Sequence, residues 1–178
     1  MNLYDKFLKL KSDTKWIGLE KGDTTSDYDC TPLGAKIIGW ESGGIHYCFL
    51  EGFGEKVFAV NPDSCYEKDN IPIYTYPIAE NFEDFLKLIL SGRGVTAIEQ
   101  IVWMSKDRFE AFVISDDNNN FIDETNKVLN EISQKLEIKP MKNPYEYVKD
   151  LQNKFDYRLL KFSDRFYENT GIDNPREA

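Results

Sequence analysis

The chain is 178 residues long, with 41% hydrophobic and 30% charged residues and a formal net charge of −9. That length is one domain's worth, enough to bury roughly 70% of the unfolded surface around a single core, and the composition excludes a disordered or fibrous chain. The acid excess argues against a nucleic-acid partner, since neutralising phosphates takes clustered Lys and Arg, and the lack of any run of about 18 apolar residues argues against a membrane helix.

Leu3, Phe7, Leu8 and Leu10 lie near helical spacing and predict a short first helix. Asp5, Lys6 and Lys9 interrupt this segment, so no signal peptide is expected, and a cytoplasmic location is. From Lys11 to Thr31 the chain is polar and loop-like, most of all from Gly22 to Asp27, with Trp16 and Ile17 dipping inward. A meander of three strands follows, Ala35–Trp40, Ile45–Leu50 and Lys56–Val60, joined by glycine turns at 41–44 and 51–54. Tyr47 and Phe49 point to one face and Cys48 and Leu50 to the other, so both faces should be covered. After a surface loop through Glu67, Lys68, Asp69 and Asn70, Ile71–Ala79 is extended, and Pro72 and Pro77 place it at a sheet edge.

Asn81 caps a helix with Glu83 and Asp84 in its first turn and Phe82, Phe85, Leu86 and Ile89 inward. Gly92 to Gly94 stop it. Thr96 to Glu99 read as a capping box that starts another helix, and Ser105 caps a third with Phe109, Phe112 and Val113 inward. Beyond a polar break at 116–120, Ile122, Thr125, Val128, Leu129, Ile132 and Leu136 define a longer helix ending before Pro140. Asn143 followed by Pro144 opens the next, with Tyr145, Val148, Leu151 and Phe155. Residues 156–167 mix extended and helical signals, and 172–178 read as a loose tail. The expectation is one α+β domain over 1–178: an antiparallel meander sheet with helices packed on it and a helix-rich carboxyl half.

Chemistry is sparse. Cys30, Cys48 and Cys65 show no paired spacing, which fits reduced thiols in a cytosol better than disulfides or a zinc site. His46, the only histidine, shares a strand face with Cys48, but no oxyanion-hole motif accompanies the pair, and an ordinary sheet histidine accounts for it. Asp23, Asp27 and Asp29 do not follow the order of a calcium loop. The run Gly52 to Lys56 joins two strands instead of opening a helix, so it is a hairpin turn, not a phosphate loop. No catalytic residue, metal or cofactor is expected. What remains is recognition. Tyr28, Asp29, Asp63, Tyr66, Glu67, Asp69, Tyr74 and Tyr76 interleave acids with aromatics, a mixture suited to a basic partner. The tyrosines also read simply as rings packed on the sheet with hydroxyls in water.

Gly39-Trp40, Phe58 to Pro62, Tyr76-Pro77-Ile78-Ala79 and Asn81 to Leu86 together resemble the SUKH superfamily, above all in an extended segment ending Pro-Ile-Ala that runs into a capped helix. With Asn143-Pro144-Tyr145 the resemblance covers residues 31 to 155. The Leu-Pro helix and Asn-Gly turn of many members are not found in residues 1 to 33. The superfamily includes bacterial toxin-immunity proteins and a fungal regulator of cell-wall glucan synthesis. The resemblance implies a non-enzymatic cytosolic protein that binds and neutralises a protein partner, a basic toxin domain. A regulatory or scaffolding interaction domain is the alternative.

Overall fold

The computed structural model describes residues 2–22, 28–68 and 71–174. Five antiparallel strands form the main sheet in the order β1 (Glu20–Lys21), β2 (Ala35–Trp40), β3 (His46–Leu50), β4 (Val57–Val60) and β7 (Thr75–Ala79). A hairpin of β5 (Tyr66–Lys68) and β6 (Ile71–Ile73) is inserted after β4, so β4 and β7 become neighbours. The extended segment expected at 71–79 is therefore split: its second half is an edge strand, and its first half pairs with a strand inside the expected surface loop. Asp69 and Asn70 of that loop lie outside the described residues, as does the turn-like run from Asp23 to Asp27. Pro77 cannot donate to the ladder. It is accommodated at an edge and beside a bulge, with Val57 opposite Ala79, Phe58 opposite Pro77 and Ile78 extra.

A row of paired residues, Gly39, Tyr47, Ala59 and Tyr76, crosses the sheet from β2 to β7. Small residues alternate with tyrosines, which gives each ring room along the sheet face. Gly39 has no space for a side chain, because a Cβ there would stand 2.5 Å from Leu19 Cδ1 in the residue that leads into β1. The polar loop expected over 11–31 thus contains structure: a 3₁₀ turn at Thr14–Ile17, buried Leu19, and β1.

Both sheet faces are covered, as the alternation predicts. On one, α1 (Leu3–Leu8) and α2 (Phe82–Gly92) pack their rings, with Tyr4 5.2 Å and Phe7 5.5 Å from Phe82, and Tyr47 5.4 Å from Phe85. On the other, residues 28–34 and the carboxyl-terminal chain lie together, joined by a hydrogen bond from Leu33 N to Lys161 O of 2.7 Å. Phe155 contacts Phe58 there, and Thr75 Oγ1 donates to Cys30 O. The segment of mixed signals after 155 resolves into a 3₁₀ turn at Tyr157–Leu159 and helix α7 (Asp164–Thr170), which buries Phe166 and Tyr167. Of the loose tail expected from 172, Ile172 packs on the core and Asn174 donates to Asp164, while residues 175–178 lie outside the described residues.

Helix α2 follows its sequence signals closely. The Asn81 side chain accepts from Asp84 N at 2.8 Å, and Phe82, Phe85, Leu86 and Ile89 are buried, each worth about 1.5–3 kcal/mol. The capping box does not form. Helix α3 (Val95–Glu99) begins two residues earlier, with Gly94 at its cap and no side-chain cap bond, because Thr96 and Glu99 are drawn to other partners. Ser105 does cap α4 (Lys106–Val113), and α5 (Ile122–Leu136) and α6 (Pro144–Lys154) complete the helices before α7. Pro144 holds the first helical position of α6, but the Asn143 side chain makes no cap bond. Ile122, expected on the inward face of α5, is 51% exposed.

Candidate recognition cleft

The two tyrosines of the cross-sheet row carry their hydroxyls to two glutamates. Tyr47 OH donates to Glu41 Oε2 at 3.0 Å, and Tyr76 OH donates to Glu99 Oε1. Helix α3 supplies the second donor to the first pair, since Thr96 Oγ1 bonds to Glu41 Oε1. Thr96 and Glu99, three residues apart on one helix side, therefore both reach the sheet. Asn61, just after β4, joins Glu99 through Nδ2 at 3.3 Å, and its Oδ1 accepts from the backbone N–H of Asp63 and Ser64 at 3.1 Å each. One amide thus fixes the turn and the carboxyl together.

Above Glu99 lies an open cleft of about 600 Å³, lined by Ile45, Asn61, Asp63, Cys65, Glu99 and Trp103. Trp103 ends a 3₁₀ turn at Gln100–Val102 that α6 holds down: Lys149 Nζ donates to Val102 O at 3.1 Å and Tyr145 OH to Met104 O at 2.9 Å. Tyr66 of β5 meets Trp103 edge-on at 5.9 Å. The indole stays 39% exposed at the cleft mouth.

Electrostatically the floor is one-sided. Burial pushes the Glu99 carboxyl above its ordinary range, and hydrogen bonds from Tyr76, Asn61 and Trp103 pull it partly back. Burial also raises Glu41, with Thr96 and Tyr47 opposing and the Glu99 charge adding to the rise. Burial, then the neighbouring carboxylates, keeps both tyrosines protonated. Among the described residues no lysine or arginine forms an ion pair with Glu41 or Glu99, so neutral donors alone stabilise these acids.

The eight candidate residues divide. Asp63 is exposed at the cleft mouth, Tyr66 is half-buried against Trp103, and Glu67 is exposed on the same hairpin. Tyr76 is fully buried beneath Glu99, so it builds the floor and offers no surface, a correction to its expected edge exposure. Tyr28, Asp29 and Tyr74 serve the opposite face. Tyr28 donates to Gly44 O at 3.0 Å and packs on Trp40, Asp29 pairs with Arg165 at 3.1 Å, and the Tyr74 ring meets Phe166. Asp69 lies outside the described residues. His46 is fully buried, its ring tilted against Trp40 at 4.7 Å and Nε2 3.3 Å from Thr31 Oγ1. Cys48 is buried as well, and burial raises its thiol far from the thiolate. Of the three free cysteines only Cys65 is exposed.

No helix among the described residues is long and apolar enough to cross a membrane. Comparison of the chain with protein-family models, curated proteins and solved structures gave no match.

Proposed function

We propose that the protein is a non-enzymatic, immunity-type binder that receives a basic protein partner, a toxin domain, at the Trp103 cleft. The observation that carries this reading is the half-exposed Trp103 beside exposed Asp63, above a buried Glu99 that has no cationic partner among the described residues. Tryptophan at a cleft mouth is the kind of side chain on which interface energy concentrates. A lysine or arginine entering from a partner would supply the counter-charge that the floor lacks. The net charge of −9 favours fast encounter with such a partner. The resemblance of residues 31 to 155 to toxin-immunity proteins points the same way, and the burial of His46 and Cys48 is in keeping with a structural role for that pair.

The test is co-expression with candidate basic toxin domains, scored by rescue of growth and by the affinity of the purified pair. Trp103→Ala should weaken binding by about 30-fold or more, equivalent to roughly 2 kcal/mol, with the fold retained and the melting temperature lowered only by the loss of its bond to Glu99 and its contact with Tyr66. Association should slow as salt rises. Several weak partners and no rescue would favour the regulatory or scaffolding reading. A turnover lost in Glu99→Gln would end the binder reading.

A further inference from the structure

Three of the seven large hydrophobic side chains exposed among the described residues fall within nine positions: Ile114 at 81%, Phe121 at 57% and Ile122 at 51%. They bracket the connection from α4 to α5, which amide side chains hold in place. Asn118 Nδ2 donates to Gly92 O and Val113 O at 3.1 Å each. Asn119 Nδ2 donates to Val113 O at 3.1 Å and Ser115 O at 2.7 Å, while its Oδ1 accepts from Arg93 Nε at 2.6 Å. Arg93 Nη2 also donates to Asn126 Oδ1 at 2.9 Å. Arg93 sits at the left-handed end of α2, with φ 62°, where glycine is the usual choice. Its guanidinium fixes this connection from below. Phe121 then leans on Trp16 at 5.0 Å, and Thr125 Oγ1 donates to Trp16 O at 2.8 Å, which ties the start of α5 to the turn at 14–17.

An unconstrained loop would fold such side chains away; this one is built to hold them out, at the cost of apolar surface in water. Between Ile114 and Asn126 the chain carries Asp116, Asp117, Asp123 and Glu124 and no lysine or arginine. None of the four acids makes an ion pair among the described residues, and the first three are exposed. We infer that Ile114, Phe121 and Ile122, exposed at the two ends of this connection, together make a second docking surface, a ridge that takes a basic segment of a protein partner presenting apolar side chains between its lysines or arginines. A second copy of this chain is the wrong occupant, because it would bring the same four acids against these four and another nine net negative charges. The Trp103 cleft does not enter this argument, so either surface stands if the other fails.

The probe is a helical peptide of alternating leucine and lysine faces, added to ¹⁵N-labelled protein, with a leucine and glutamate peptide of the same pattern as control. The expected result is a saturable shift of the Trp16 indole and of the amides from Ile114 to Asn126 with the basic peptide alone. Ile114→Ser with Ile122→Ser, which spares the Phe121 contact with Trp16, should lower that affinity at least tenfold and leave the melting temperature unchanged. Shifts confined to the Trp103 indole would overturn the ridge while leaving the cleft intact. Equal binding of the acidic peptide, no shift at Trp16, or a dimer in sedimentation that the double substitution dissolves would each overturn it too.

Discussion

Glu131 and Glu99 both stand on helices, both are little exposed and both collect several hydrogen bonds, yet their proton affinities move in opposite directions. Burial pushes the Glu131 carboxyl up, but Lys135 and the backbone N–H groups of Lys11 and Ser12, at 3.1 and 2.7 Å, outweigh it and bring it down to about 2. Glu99 meets only a phenol, an amide and an indole, and there burial wins. A carboxylate is stabilised by aligned N–H dipoles and a cation; neutral donors around a dry pocket leave its charge expensive. One glutamate pins the chain leaving α1 to the middle of α5, and the other keeps a cleft floor short of positive charge.

The largest break in this comparison should come from Tyr76→Phe. It leaves buried Glu99 without its phenol donor and should cost about 1–3 kcal/mol in urea unfolding. Adding Glu99→Gln to Tyr76→Phe should recover part of that loss, because a neutral amide is cheaper to bury without the phenol and its oxygen still accepts from Asn61. Glu131→Gln should cost less, about 0.5–1.5 kcal/mol at neutral pH.

The pH dependence separates the two sites by sign. Glu131 is bound more weakly by protons when folded, so its contribution is present above its ordinary 4.5 and is lost as pH falls towards 2. Glu99 keeps its proton longer when folded, so its contribution is present below 4.5 and is lost as pH rises through its elevated folded value. Stability measured against pH should therefore lose slope below 4.5 in Glu131→Gln and above 4.5 in Glu99→Gln. A Glu99→Gln curve identical to the parent above 4.5 would show that the tyrosine site is not desolvated. The smallest effect belongs to Lys135→Ala, about 0.3–0.5 kcal/mol, which salt should erase.

The sheet was legible because three aromatic and β-branched runs separated by two glycine turns fall within the 26 residues from Ala35 to Val60, and α2 because cap, dipole acids and apolar stripe agree. The capping box misled for a definite reason. Thr and Glu three residues apart satisfy a helix start, but the same spacing puts both on one side of a helix, and here a sheet with two tyrosines lies on that side. Trp103 gave no signal, since an apolar residue after Ile98, Ile101 and Val102 reads as core. Tyr28 and Tyr74 could not be separated from Tyr66 by sequence, because which face each reaches depends on how the chain folds over the sheet. Strand β1 had no hydrophobic pattern to find. It consists of one glutamate and one lysine.

That brevity has a consequence for how the chain survives its own synthesis. Glu20 and Lys21 pair with Trp40 and Gly39, and Lys21 Nζ is anchored to Leu10 O at 2.8 Å. They leave the ribosome before the strand they border, so charged residues are already at hand for the Gly39–Trp40 end of its outer margin when it emerges. A nascent neighbour seeking an open hydrogen-bonding margin to zip onto finds a lysine and a glutamate in its way.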